Sequence, residues 1–152
     1  MIDINNESGV AADEKSLVRL SAFVLERLRI HPLADLSILL VDVATMTQYH
    51  EKFMKLPGPA DVLSFPMDEL RVPDDGQSPP QGLLGDVVLC PQEIARRCVE
   101  EGRTAKDETS YLLIHGLLHL LGFDHAEPEE EKTMFSLQDR LFREWKHNKA
   151  AA

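Results

Sequence analysis

Three histidines crowd the run HGLLHLLGFDH at residues 115–125. His115 and His119 are four residues apart, so on a helix their rings project from one face. Neutral imidazole is a good ligand for Zn²⁺ and its first-row neighbours, and two rings on adjacent turns can span one ion. Gly122 lets the chain leave the helix through a left-handed turn. That reversal can bring His125 back towards the same point. Three protein nitrogens with an open fourth position form the ligand set of a catalytic zinc rather than a structural one. A lone histidine on an apolar helix is ordinarily a core residue with a hydrogen-bond partner. Two in the most apolar helix of the chain each need a partner when buried, and a third across a glycine turn favours the metal site.

The elements that must hold these rings can be followed along the chain. Residues 2–6 read as a first strand. Leu17, Leu20, Val24 and Leu28, spaced by three and four, mark an amphipathic helix over 13–30. His31-Pro32 should end it, because a residue before proline avoids helical backbone. Leu36 to Val41 is a buried strand. Thr45 and Gln48 form a capping box for a helix with Met46, Tyr49 and Phe53 on one face, which Pro57-Gly58-Pro59 stops. Asp61 to Phe65 is a third strand, 67–82 a polar loop, and Leu83 to Cys90 a fourth strand interrupted by Gly85. Pro91 opens and Gly102 closes a further helix. Thr104 with Asp107 caps the next, the apolar YLLIHGLLHLL helix, and Gly122 caps its end. A last helix starts near Pro128, with Glu129, Glu130 and Glu131 in its first turn and Arg140, Arg143 and Lys146 further on, both matched to the helix dipole. Strands alternating with helices predict an α/β or α+β layered fold.

The chain has 152 residues, so one domain over 1–152 is expected. Its composition, 43% apolar and 28% charged, is that of a soluble globular protein. No apolar run reaches the roughly 18 residues of a membrane span. MIDINNESG lacks the features of a signal peptide, so a cytoplasmic protein without membrane contact is expected. Cys90 and Cys98 should be reduced, buried and inert. Lys plus Arg is 16 against 26 for Asp plus Glu, a net charge of −10, which repels polyanions.

The histidine run resembles the HExxHxxGxxH signature of the metzincin metalloproteases. Gly116, however, stands where those enzymes carry their glutamate base, so the metal cage matches while peptidase chemistry does not follow. The run together with ADVLSFPMDE at 60–69 and LLGDVVLC at 83–90 resembles the YbeY family of rRNA-maturation endoribonucleases, over most of the chain and in order. The resemblance implies an α+β fold, a mixed four-stranded sheet flanked by helices with a metzincin-like metal helix. It implies a single-strand-specific, metal-dependent endoribonuclease acting in small-subunit rRNA 3′ maturation and ribosome quality control. Its partners would be single-stranded rRNA and the ribosome or ribosomal proteins. The ligands carry over to His115, His119 and His125, holding one Zn²⁺ or another first-row divalent ion.

One family feature does not carry over. Many members place an arginine seven residues before the DVLSFP segment, where it helps handle phosphate. Here that position is Met54, beside Phe53, and methionine cannot donate to phosphate. Lys55 could substitute as a point charge, though not as a bidentate fork; a solvated lysine at a helix end explains it equally well. A three-histidine zinc lowers the pKa of bound water to about 7 and polarises a phosphoryl oxygen, and neutral ligands leave it fully charged towards a phosphodiester. Asp124 is a candidate base, although a turn-capping role, or one orienting a histidine, is the more economical reading. RNA would also need a local basic surface: Arg96, Arg97, Arg103 and Lys106 form one run, and Arg140, Arg143, Lys146 and Lys149 another. Docking through a basic ribosomal protein is the alternative. Two other functions compete with the nuclease. One is a metal hydrolase of another substrate, and the other a non-enzymatic ribosome-assembly factor with a structural metal.

Overall fold

A computed structural model describes the backbone of residues 1–151 and the side chains of residues 1–148. The elements run β1 (Ile2–Asn6), α1 (Glu14–Arg27), β2 (Asp35–Leu40), α2 (Val43–Met54), β3 (Val62–Pro66), β4 (Leu83–Leu89), α3 (Pro91–Glu101), α4 (Ala105–Leu120) and α5 (Pro128–Ala151). The sheet order is β1-β2-β4-β3. β1 and β4 both pair parallel to β2, and β3 pairs antiparallel to β4. This is the mixed four-stranded sheet of an α+β fold.

Alternation along the strands sends side chains to two faces. Leu36, Ile38 and Leu40 of β2 join Val87 and Leu89 of β4 on one face, packed with α1, α4 and α5 in the main core. Val88 and Leu63 point the other way, into a smaller cluster with Met46 of α2. α1 buries Leu17, Leu20, Ser21, Val24 and Leu25, the three-and-four stripe read from the sequence. α4 is buried nearly all round, through Leu113, Ile114, Gly116, Leu117, Leu118 and Leu120. It touches β3, β4, α1, α3 and α5, as its continuous apolarity requires.

Three local readings need correction. α1 ends at Arg27, short of His31-Pro32. Arg29 adopts φ 59°, its N–H bonds the Glu26 carbonyl, and the Ile30 N–H bonds the Leu25 carbonyl. That Schellman closure stops the helix before proline can act. α2 is capped by Asp42, whose Oδ1 accepts the Thr45 N–H at 2.8 Å; an aspartate cap satisfies the first turn one residue before α2 begins, so no Thr45 box forms. Gly85 does not interrupt β4 but forms a bulge. Leu83 pairs with Asp35 and Gly85 with Leu36, leaving Leu84 unpaired, and Gly85 takes φ 132°, a backbone open to glycine.

The 67–82 segment is tied down at several points. Met67 and Asp68 N–H groups bond the carbonyls of Leu84 and Leu83. Arg29 Nη2 donates to the Pro73 carbonyl at 2.7 Å, and Leu70 and Val72 pack on the main core.

The contact of α4 with the sheet is tightest at Gly116. A Cβ there would lie 2.7 Å from Val87 Cγ1 and 3.1 Å from Ser64 Oγ, and Ser64 Oγ donates to the Gly116 carbonyl at 3.0 Å. Gly116→Ala should destabilise the protein by about 1–3 kcal/mol from overpacking, despite the ~1 kcal/mol that alanine gains over glycine in a helix. Urea unfolding would show this as a lower midpoint at unchanged slope. A midpoint equal to wild type would mean that helix and sheet separate freely at this point.

Candidate metal centre

The last two turns of α4 carry His115 and His119. Leu121 caps the helix, and the chain reverses at Gly122, φ 91°. The Gly122 N–H bonds the His119 carbonyl and the Phe123 N–H bonds the Leu118 carbonyl, both at 3.0 Å. This Schellman pair closes the turn with glycine in the left-handed position. Three residues later the Asp124 carboxylate accepts the His125 N–H at 2.7 Å, which pins the loop.

The turn brings the three rings together. Centroid separations are 4.6 Å for His115–His119, 5.2 Å for His119–His125 and 5.5 Å for His115–His125. One ligand nitrogen from each lies within 4.8 Å of the other two. The Nε2 atoms of His115 and His119 are 3.1 Å apart. With metal–nitrogen bonds of roughly 2.0–2.1 Å, two ligands around a tetrahedral ion sit about 3.3 Å from each other. The donor set and its spacing therefore fit a divalent ion.

His115 is further oriented by a residue that the sequence reading missed. Gln138 of α5 is 1% exposed. Its Nε2 donates to the Tyr111 carbonyl at 3.1 Å, so its Oε1 faces His115 Nδ1 at 3.0 Å and that nitrogen donates. The neutral ring is then held with Nε2 free as a ligand, the usual role of a group behind a metal-binding histidine. The signal was present: Met134, Leu141 and Trp145 are buried on α5, and a glutamine on the same stripe needs a polar reason. Phe135 lies against both His115 and His125, with centroids at 5.8 and 5.9 Å.

Burial keeps His115 and His119 neutral. Burial lowers the pKa of His115, against the Gln138 hydrogen bond that raises it. Burial, then the charge of His115 and of His125, lowers His119 to about 4. An uncharged imidazole is the form that binds metal.

The rings line a cleft of about 530 Å³ beside β3, with Ser64, Met54, Asp61 and Asp124 also on its wall. Met54 therefore sits at the cleft, while Lys55 is the exposed C-cap residue of α2, φ 58°, outside the lining. The three arginines of the first basic run are engaged. Arg96 and Arg97 both pair with the buried Glu93, Arg97 also pairs with Asp61, and Arg103 pairs with Glu108. In the second run, Arg140 pairs with Glu144 and Lys146 with Asp107; the Lys149 side chain lies outside the described residues. Cys90 and Cys98 are buried and free.

Fold and site together define an α+β protein with a three-histidine cradle at the end of its central helix. A family model described as "Endoribonuclease YbeY" matches residues 2–146. The chain is 63% identical over 145 residues to the endoribonuclease YbeY of Cutibacterium acnes, covering 95% of this chain and 94% of that protein. It is 54% identical to that of Thermobifida fusca, covering 97% and 95%. The solution structure of TM1509 from Thermotoga maritima superposes with a TM-score of 0.66 at 24% identity, over 99% of this chain and 93% of that one, a likeness of fold. The chain belongs to the YbeY endoribonuclease family.

Two measurements test the centre. Gln138→Met fills the same space but cannot accept from His115. Zinc affinity, read by competition with a chromogenic chelator, should fall roughly 10–100-fold; an unchanged affinity would remove Gln138 from the site. The metal-free protein should also lose stability in acid. His119 binds a proton below about 4 when folded but below roughly 6.5 when unfolded. Between those values the unfolded state holds more protons, so stability present above pH 6.5 is lost as pH falls towards 4. Urea midpoints of wild type should drop across that window more steeply than those of His119→Asn.

Proposed function

We propose that the chain is a single-domain, zinc-dependent endoribonuclease that cuts single-stranded RNA, with His115, His119 and His125 as the ligands of one ion. The observation that carries this reading is the convergence of three ring nitrogens within 4.8 Å in a chain of the YbeY family. When bound, the ion supplies a Lewis acid and an activated water for phosphodiester cleavage. The protein's own groups do the rest. Burial keeps the His115 and His119 imidazoles neutral, Gln138 fixes the His115 tautomer, and Asp124 holds the turn that carries His125. Asp124 is thus read as a positioning residue.

Position 116 has no room for a glutamate base, because its Cβ would already crowd Val87 and Ser64. This supports the nuclease over a metzincin-like peptidase. Within the family's work, we assign the chain to small-subunit rRNA 3′ maturation and ribosome quality control in the cytoplasm, docked to the ribosome through basic ribosomal proteins that complement its net charge of −10. No helix among the described residues is long and apolar enough to cross a membrane.

The test is cleavage of end-labelled single-stranded RNA by wild type and His119→Ala purified in parallel, with and without chelator. Activity should vanish in the mutant and in chelated wild type and return with zinc. Equal cleavage by both proteins would remove the reaction from this centre. Asp124→Asn, which keeps an acceptor oxygen for the His125 N–H, should retain most activity; a loss near that of His119→Ala would make Asp124 the base.

A further inference from the structure

Among the described residues, the cleft wall carries two carboxylates, Asp61 and Asp124, and no lysine or arginine. A strand of RNA laid in it meets no cationic side chain on that wall. Arg97, beside Asp61, is engaged by that carboxylate, by Glu93 and by the Pro59 carbonyl. Met54 offers no donor. The cation nearest this wall comes from the loop that joins β3 to β4, and it borders the cleft at Gly122 without lining it. Arg71 lies on Gly122: a Cβ on that glycine would sit 2.6 Å from Arg71 Cζ and 2.8 Å from Cδ. Gly122 itself lines the cleft, three residues from His119 and three from His125.

Arg71 also stands apart from the cations on α3. Among the described residues it forms no ion pair, and its guanidinium donates from Nη1 to the neighbouring Leu70 carbonyl at 3.0 Å, in an exposed setting. Its neighbours Leu70 and Val72 pack on the main core, the guanidinium lies beside Gly122, and it is left with donors to spare. A planar fork in that state suits a phosphate oxygen pair.

We propose that Arg71 is the phosphate-binding residue of the cleft, gripping a backbone phosphate of single-stranded RNA at the Gly122 edge beside the three histidines. The proposal rests on the nuclease reading for its ligand. It assigns the guanidinium to the 67–82 loop, beside the glycine whose left-handed φ of 91° closes the histidine turn.

The experiment compares Arg71→Met and Arg71→Lys with wild type and with Arg19→Met, an equal charge loss on α1. KM and kcat are taken from cleavage of single-stranded RNA. Affinity for a fluorescent single-stranded DNA of the same sequence, which shares the phosphate backbone, is taken by anisotropy over a salt series. Zinc content and melting are checked in each protein. For Arg71→Met, KM and the oligonucleotide Kd should rise roughly ten- to a hundredfold with a smaller change in kcat. The slope of log affinity against log salt should shrink by about one phosphate contact. Arg71→Lys should recover the salt slope but only a fraction of the affinity, and Arg19→Met should match wild type. Unchanged KM and Kd in Arg71→Met, or equal losses in Arg19→Met, would overturn the proposal. A wild type that binds the oligonucleotide through Arg71 yet cuts no RNA would overturn the nuclease reading and leave the Arg71 assignment standing.

Discussion

Ser64, Gly116 and Val87 meet where the central helix lies on the sheet, and a single added carbon on Gly116 would fall 2.7 Å from Val87. Interiors packed to near-crystalline density leave no slack at such a point. The contact fixes the depth and rotation of α4, and with them the direction in which His115 and His119 leave the helix. The Ser64 hydroxyl, bonded to the Gly116 carbonyl, ties the same turn to β3, the strand that walls the cleft. The first histidine is followed by glycine for this reason: that side of the helix belongs to the sheet. A proton acceptor at this place in the chain would have to force helix and sheet apart.

Much of this was legible in the sequence. The strong periodicities of α1 and the unbroken apolarity of α4 gave their burial, and the spacing of the three histidines around Gly122 gave the turn. What sequence could not show was decided by contacts between distant segments. Gln138 lies 23 residues from the ring it orients, and a glutamine reads as surface until α5 is docked. Arg71 is 51 positions before Gly122, in a stretch whose Pro, Gly and Asp content spoke only of a loop. The local misreadings had a different origin. Asp42 opened α2 and Arg29 closed α1 before the stronger-looking signals at Thr45 and Pro32 came into play. A Pro or a capping box is one of several ways to satisfy the same terminal groups.

Charge is handled locally. The chain is strongly acidic, yet Arg96 and Arg97 of α3, and Arg103 just beyond it, are absorbed by Glu93, Asp61 and Glu108. These pairs brace α3 against the segment that leads into β3, with the buried Glu93 carboxyl held below its ordinary range by the hydrogen bond from Arg96. Arginine is thus used as a structural fork on one helix and left with free donors on the loop over Gly122. A count of basic residues along the sequence does not separate the two uses.

Gln138 has one more consequence. The groups that shape the cleft run from β3 to Gln138 of α5, so the site draws on about half the chain length, and the last of them is among the last to be made. A ribosome extrudes β1, α1 and β2 long before α4 can cover their apolar face, and α5 arrives later still. Synthesis and competence are therefore separated in time: a growing chain has no oriented first histidine until its final helix has docked. The geometry described for His115 is therefore a property of the finished chain and not of the nascent one.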